Sequence, residues 1–238
     1  MSSEQNFSSC LNINLRVNRA DFDLAVNATI EPQSVCGIFG ESGSGKTSLA
    51  RAIAGLDSSW SGRLCHRGVT WQDTDSRVFV PAHKRRVGFV FQGAELFDHL
   101  TISKNLDFAE RCGEDSEDQP GRADLIAQFE LGSLLHQTPG RISGGERQRA
   151  AIAQVLLSAP SMLVMDEPMA SMSRSMKENL MPFIKNCLHQ FKGPMLYITH
   201  SKSELEKIAG AVLLLEGGRS RFFPSVQQFL RQSSVTGY

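Results

Sequence analysis

No run of apolar residues in this 238-residue chain approaches the roughly 18 needed to cross a bilayer. Nothing in it therefore reads as a membrane span. Neither sign of charge is in excess, with 25 basic and 25 acidic residues and a formal net charge of zero. Binding to nucleic acid or to an anionic lipid surface draws on surplus positive charge, so neither is expected of the chain as a whole. The five cysteines, at 10, 36, 65, 112 and 187, are scattered and odd in number, without metal-type spacing. They read as thiols in a reducing compartment rather than as a disulfide framework. The six histidines form no i, i+4 pair, so no dedicated protein metal site is expected. The opening residues, 1–6, are polar and lack a signal-peptide profile. There is no internal repeat. What the chain does have is 41% hydrophobic residues over a length that suits one large α/β domain.

The strongest pattern is Gly40-Glu41-Ser42-Gly43-Ser44-Gly45-Lys46-Thr47, a Gly-x-x-x-x-Gly-Lys-Thr phosphate-binding loop continued by Ser48. Its glycines let the backbone turn tightly and bring N–H groups to phosphate oxygens. Lys46 would set its ammonium against the β- and γ-phosphates, and Thr47 would offer its hydroxyl to Mg²⁺. The flanks agree. Residues 34–39 are a short apolar run that reads as a buried parallel strand. Residues 47–53 read as a helix whose N-terminus adds positive dipole beneath the phosphates.

Before this loop, Leu11, Ile13, Leu15 and Val17 alternate with polar residues, and 22–30 alternate again. The two stretches read as a β-hairpin. Phe22 has two readings that both stand: a ring stacked on a base, or a half-buried strand aromatic. Further on, a basic cluster at 83–86 precedes the apolar run 87–91, a second candidate strand, which ends at Gln92. An amide there can reach Mg²⁺ or an attacking water. Leu96, Phe97, Leu100, Ile102, Leu106 and Phe108 then recur at roughly helical spacing, followed by an acidic loop-like stretch at 113–121 and a helix pattern over 122–131. This is a helical insertion, about 93–158, between strands of the nucleotide-binding core.

Ser143, Gly144 and Gly145 open the next helix. They read as an anion-binding helix start and equally as a capping box closed by Glu146; the two readings are compatible. Residues 162–165 form a buried strand with Asp166 and Glu167 at its C-terminal end, the end that lines the ligand crevice of an open α/β sheet. Asp166 is placed to hold Mg²⁺ and Glu167 to polarise a water for attack on phosphorus. Strands at 194–199 and 211–215 follow, with His200 at the end of the first. A last helix spans about 225–231.

The loop at 40–47, Gln92, Ile142-Ser143-Gly144-Gly145-Glu146, Met165-Asp166-Glu167-Pro168 and His200 follow the order found in ATP-binding cassette (ABC) ATPases. The resemblance covers nearly the whole chain, and Ser-Gly-Gly is its discriminating part. Lys84–Gln92, Ala94–Phe97 and Pro194–Ser201 are most similar to the ATPase subunits of molybdate importers, with part shared by sulfate, iron and polyamine importers. The resemblance implies a single ABC domain over 1–238: a mixed sheet with an N-terminal antiparallel part and an inserted helical subdomain. It implies ATP and Mg²⁺ as ligands and hydrolysis coupled to oxyanion uptake, molybdate foremost. ATP would lie between residues 40–48 of one copy and Ser143, Gly144 and Gly145 of another, in a head-to-tail homodimer. Glu167 would be the general base, with Gln92 and His200 contacting the γ-phosphate; Thr47, Gln92 and Asp166 would face the metal. Two transmembrane permease subunits, an external solute-binding protein acting through them, and a peripheral place on the cytoplasmic face of the membrane are implied as well. A non-transport or binding-only cassette is the alternative.

Three departures from that family stand out. Ser173 occupies a position where an aspartate is usual, which bears on coupling between the two sites. Gln154 stands where an arginine is usual. The chain stops at Tyr238, so regulation by an additional C-terminal oxyanion-binding domain is not expected.

Overall fold

The computed structural model describes residues 10–19, 22–113, 120–170 and 172–235. In chain order the elements are β1 (Leu11–Arg19), β2 (Phe22–Ile30), β3 (Val35–Phe39), α1 (Lys46–Ile53), β4 (Ser61–His66), β5 (Val69–Asp73), β6 (Val78–Phe79), α2 (Ala82–Arg85) and β7 (Val87–Val90). Then come α3 (Ile102–Cys112), α4 (Arg122–Gln128), α5 (Gly144–Leu157), β8 (Met162–Asp166), α6 (Arg174–Gln190), β9 (Met195–Ile198), α7 (Lys202–Ile208), β10 (Ala211–Glu216), β11 (Arg219–Phe223) and α8 (Val226–Val235). They fall into two compact units, one built from 1–87 and 192–238, the other from 88–191.

In the first unit the alternation of β1 and β2 becomes an antiparallel ladder. Leu11, Ile13, Leu15 and Val17 pair with Ile30, Ala28, Val26 and Leu24, and all eight are buried. Apolar residues opposed in this way fix the register, because a one-residue slip would turn every one of them to water. β1 also pairs antiparallel with β4, and β4 with β5. β3 lies between parallel neighbours, β10 on one side and β9 on the other. A strand paired this way and covered on both faces needs an unbroken apolar run, as residues 35–39 supply. The strands of this unit follow one another as β6-β5-β4-β1-β2-β11-β10-β3-β9. β11 joins the antiparallel part to the parallel part by pairing parallel with β2 at Arg219 and Ala25.

The C-terminal end of α1 is held by Arg85, whose side chain is buried. Its guanidinium donates to the carbonyls of Ala52 and Ile53 (both 2.8 Å), Val80 (2.7 Å) and Trp71 (3.4 Å). The basic cluster read at 83–86 is thus not one solvated patch. Gly55 ends the helix at φ 77°, and a Cβ there would stand 2.7 Å from Arg85 Nε. Only glycine suits both the dihedral and the approach.

In the second unit β8 is buried along its whole length. Helices α3 and α5 pack on one another, and Arg122 of α4 pairs with Asp107 (2.6 Å) and Glu110 (3.2 Å) of α3. Phe129 stacks on Phe183 of α6. The helical spacing expected from residue 96 onward does not become helix until Ile102. Thr101 caps α3, its hydroxyl accepting from the Lys104 amide at 3.3 Å. The helix read over 122–131 ends at Gln128, and the final helix runs on to Val235. Most of the acidic stretch at 113–121 lies outside the described residues. Among the described residues no helix is long and apolar enough to cross a membrane, and no cysteines are bridged.

Candidate nucleotide site

The loop of residues 40–45 leaves β3 and turns into α1, as a buried parallel strand running into a helix start requires. Gly43 and Gly45 sit at φ 82° and 94°, where other residues are strained. A Cβ on Gly45 would run into the ring of Phe22. The loop closes around its own lysine. Lys46 is buried, and its ammonium donates to the carbonyls of Gly40 (2.8 Å) and Glu41 (2.7 Å). The helix ladder starts at once, with the Leu49 amide donating to Gly45. Thr47, the second residue of α1, is exposed, as are Glu41, Ser42 and Gly43; Ser44 and Ser48 are half-buried.

A cleft of about 400 Å³ opens beside this loop. Phe22, Asp23 and Phe39 line it together with Gly40–Ser44 and the β10–β11 turn at Gly217 and Gly218. Phe22 therefore shares a wall with the phosphate-binding loop. The sequence left Phe22 with two readings, a base-stacking ring or a strand aromatic, and did not place it beside this loop. The β10–β11 turn is a part of this cleft that sequence reasoning missed; its one local signal is the Gly217-Gly218 pair.

His200 is exposed and follows β9 in the same unit. The turn that carries it is braced from below. Glu204 is buried and accepts from the hydroxyls of Thr199 (2.8 Å) and Tyr197 (3.3 Å). Thr199 Oγ1 in turn accepts from the Ser201 amide at 3.0 Å. Burial, with Glu204 beside it, drives the Tyr197 phenol above its ordinary range, so it stays a donor.

The second unit carries the other half of the candidate residues. Gln92 is exposed just past β7. Asp166 is buried at the end of β8, and Glu167 follows it at φ 46°, the left-handed region. A non-glycine residue held there costs about 1–3 kcal/mol, strain of the kind that collects at functional sites. Ser143 and Gly144 are exposed at the start of α5, with Gly145 half-buried. Both hydrogen bonds of the capping box are present: the Glu146 amide donates to Ser143 Oγ (3.3 Å), and the Ser143 amide to Glu146 Oε2 (2.8 Å). The Ser143 hydroxyl also reaches Glu146 Oε2, at 2.7 Å. Ser173 caps α6, its hydroxyl accepting from the Met176 amide at 3.4 Å. Serine and aspartate are both good helix caps, so this local duty survives the departure from the usual residue.

The bonds from Ser143 hold the Glu146 carboxyl below its ordinary value near 4.5. A lowered folded value makes the cap's contribution full above the ordinary value and lost as pH falls through the lowered one. The first turn of α5 is therefore expected to fray in acid. Glu146→Ala should produce the same fraying at neutral pH, read as faster amide exchange at residues 144–147 with the rest of α5 unchanged.

The sequence model of the ABC transporter family matches residues 24–170. The chain belongs to the ABC transporter family. It is 39% identical over 215 residues to the molybdenum import ATP-binding protein ModC 1 of Azotobacter vinelandii, covering 90% of this chain and 60% of that one. It is 41% identical over 212 residues to ModC of Saccharophagus degradans, covering 89% and 58%. With ModC of Pseudomonas aeruginosa it shares 38% over 211 residues, covering 88% and 58%. The chain thus spans about 60% of the length of these curated relatives. Among solved structures it resembles a dimeric bacterial ABC transporter cassette, MJ0796, at TM-score 0.70 and 23% identity, covering 90% of this chain and 97% of that one. It also resembles cbiO1 of Clostridium perfringens at TM-score 0.79 and 19% identity, covering 98% and 93%. At those identities the likeness concerns the fold, and the fold is that of an ABC cassette: a mixed sheet with helices, with an antiparallel part toward the N-terminus.

Proposed function

We propose that this ABC family member binds ATP with Mg²⁺, hydrolyses it, and serves as the nucleotide-binding subunit of an importer whose cargo is molybdate. The observation that carries the nucleotide reading is the closed loop around Lys46. Its ammonium is already desolvated and aimed at the loop's interior, at the start of a helix and beside a cleft with an aromatic wall. Such a cradle suits a polyphosphate with a planar base, and Phe22 is assigned the base. Molybdate rests on the ModC relatives, which match nearly all of this chain.

The residues assigned to the metal, Thr47, Gln92 and Asp166, offer only oxygen donors. That set fits a hard divalent cation that keeps phosphate and water oxygens in its remaining places. When bound, Mg²⁺ supplies charge neutralisation at the β- and γ-phosphates. In the reading proposed here, residues 40–48 of one copy and Ser143, Gly144 and Gly145 of a second copy, paired head to tail, enclose one ATP. Glu167 takes a proton from the attacking water as the new oxygen–phosphorus bond forms. The bridging bond to the γ-phosphorus breaks, and ADP leaves with that electron pair. Gln92 orients the water, and His200 donates to a γ-phosphate oxygen. Two permease subunits receive the motion, and an external binding protein delivers cargo to them. The ATPase subunit then sits peripherally on the cytoplasmic face of the membrane.

The test is steady-state hydrolysis of ATP by the purified chain with and without Mg²⁺, together with molybdate uptake by cells that carry or lack its gene. Mg²⁺-dependent turnover and lost uptake support the reading. Intact uptake with ATPase activity present would reassign the cargo.

Positioning of His200 through Glu204 yields a further expected result. Glu204→Ala should lower kcat roughly tenfold, because small displacements of a reacting group are costly, while KM for ATP changes little. Glu204→Gln should recover most of the rate, since an amide oxygen still accepts from Thr199 and Tyr197. Equal kinetics in both variants would separate Glu204 from His200.

A further inference from the structure

Asn105 lies on α3 and is fully buried, and its side-chain amide works on the segment just before the helix. Its Oδ1 accepts from the Phe97 amide at 2.8 Å. Its Nδ2 faces three carbonyls, those of Phe97 (3.2 Å), Leu100 (3.4 Å) and Thr101 (3.0 Å). One buried amide thus staples the loop 97–101 to the first turns of α3. An amide in this position must be held in one orientation, since a flip would set donor against donor and acceptor against acceptor. The loop's own amide and carbonyls set that choice, and a side chain from another helix reinforces it. Gln154 Nε2 on α5 donates to the Asn105 backbone carbonyl at 3.3 Å and to Asn105 Oδ1 at 3.4 Å. The two acceptors tie α5 to both the backbone and the side chain of Asn105, and the contact at Oδ1 suits the orientation that the Phe97 amide already sets.

The two ends of this connection are both of interest. α5 begins at Ser143, Gly144 and Gly145. The loop carries Phe97, exposed and packed edge-on against exposed Phe108 with ring centroids 4.8 Å apart, and His99 stands 6.1 Å from Phe97. Exposed aromatics gathered this way mark an interaction surface. We propose that Gln154, acting through Asn105, is the positioning residue that makes the Phe97 surface follow the helix whose N-terminus meets nucleotide. The inference rests on the nucleotide reading above and deepens it: the state of α5 is conveyed to the loop 97–101 and its exposed aromatics by donated hydrogen bonds, not by apolar packing alone. It also gives Gln154 a physical role at a position the sequence left without one.

The experiment compares Gln154→Leu, which keeps volume and removes the donor, with Gln154→Arg, which keeps donors to both acceptors. Amide exchange at 97–101 is followed in the full chain without nucleotide, and again with Mg²⁺ and ATP in a Glu167→Gln background. Without nucleotide, Gln154→Leu should speed exchange of the Phe97 amide about fivefold, the loss of one hydrogen bond's worth of protection. Its melting temperature should fall by only a few degrees, about what one lost hydrogen bond costs a chain of this size. With ATP, the loop in the parent and in Gln154→Arg should change its exchange, while the loop in Gln154→Leu should not, with ATP retention equal in all three. Loop exchange unmoved by Gln154→Leu, or an ATP response that survives it intact, overturns the proposal. If the parent chain retains no ATP, the nucleotide reading fails, and the comparison without nucleotide still decides whether Gln154 positions the loop.

Discussion

Glu167→Gln is expected to reduce ATP turnover by about 10²–10⁴-fold, the range for loss of a general base. ATP binding should persist. The substitution keeps size and hydrogen-bonding shape and removes only the capacity to take a proton, so the loop around Lys46 is untouched. Because ATP is then bound and not consumed, the chain should shift from monomer to dimer on gel filtration in Mg²⁺ and ATP and return to monomer when nucleotide is withdrawn. The backbone adds a second handle. Glu167 stands at φ 46°, immediately before Pro168, and it is the residue that must pay that strain. Glu167→Gly should relieve the strain and remove the base together, so it is expected to be inactive and yet no less stable than the parent. A Glu167→Gln chain that turns over ATP at the parent rate would move the base elsewhere. A chain that is inactive and stays monomeric in ATP would keep Glu167 as base and remove the head-to-tail pairing.

Much of the geometry of the candidate site was legible because a loop built for phosphate constrains backbone before it constrains side chains. The glycine pattern at 40–45, the apolar run ahead of it and the helix behind it belong to one local mechanism, and they were read together. The capping box at Ser143 and Glu146 was legible for the same reason: both partners lie within four residues. The β1–β2 hairpin followed from period-two alternation alone. What stayed hidden depends on contacts distant in sequence. The spacing of 96–108 suggested one helix, yet Phe97 and Leu100 belong to a loop held by Asn105, and no local signal announces that staple. Residues 174–190 form a 17-residue helix to which the sequence reading gave no element; Pro182 in its interior weakens any helix signal there. Phe22 could be placed on a strand but not beside Gly45, and the part played by β11 in joining β2 to β10 comes from a parallel pair almost two hundred residues apart in the chain. Nor does anything local separate Arg85 from Lys84 and Arg86, two exposed neighbours.

Arg85→Met is expected to cost about 3 kcal/mol of unfolding free energy, a loss of the size seen when buried hydrogen-bonding groups lose their partner. Four carbonyls accept from this one guanidinium, and two of them, Ala52 and Ile53, lie at the C-terminal end of α1, where the helix dipole favours a cation. The side chain also lies 5.6 Å from the Trp71 ring centroid and 5.0 Å from that of Phe79. The charge is kept at a cost. Burial pushes the guanidinium down to about 10 from its much higher ordinary value, so between the two the unfolded chain holds its proton more firmly than the folded one. That effect alone works against the fold below about pH 10 and is relieved as pH rises above it. Methionine escapes it and retains much of the packed stem, so any net loss on Arg85→Met measures the carbonyls left without a donor. Arg85→Lys should recover only part of that loss, because three donors on one nitrogen cannot reproduce a planar fork. Urea unfolding of the three chains at neutral pH gives the answer. A loss below about 0.5 kcal/mol in Arg85→Met, the range of ordinary surface changes, would mean that the stem packed between Trp71 and Phe79 anchors α1, and the fork does not. A loss near the expected size should be accompanied by a raised KM for ATP, since α1 then loosens at one end while Lys46 and Thr47 stand at the other.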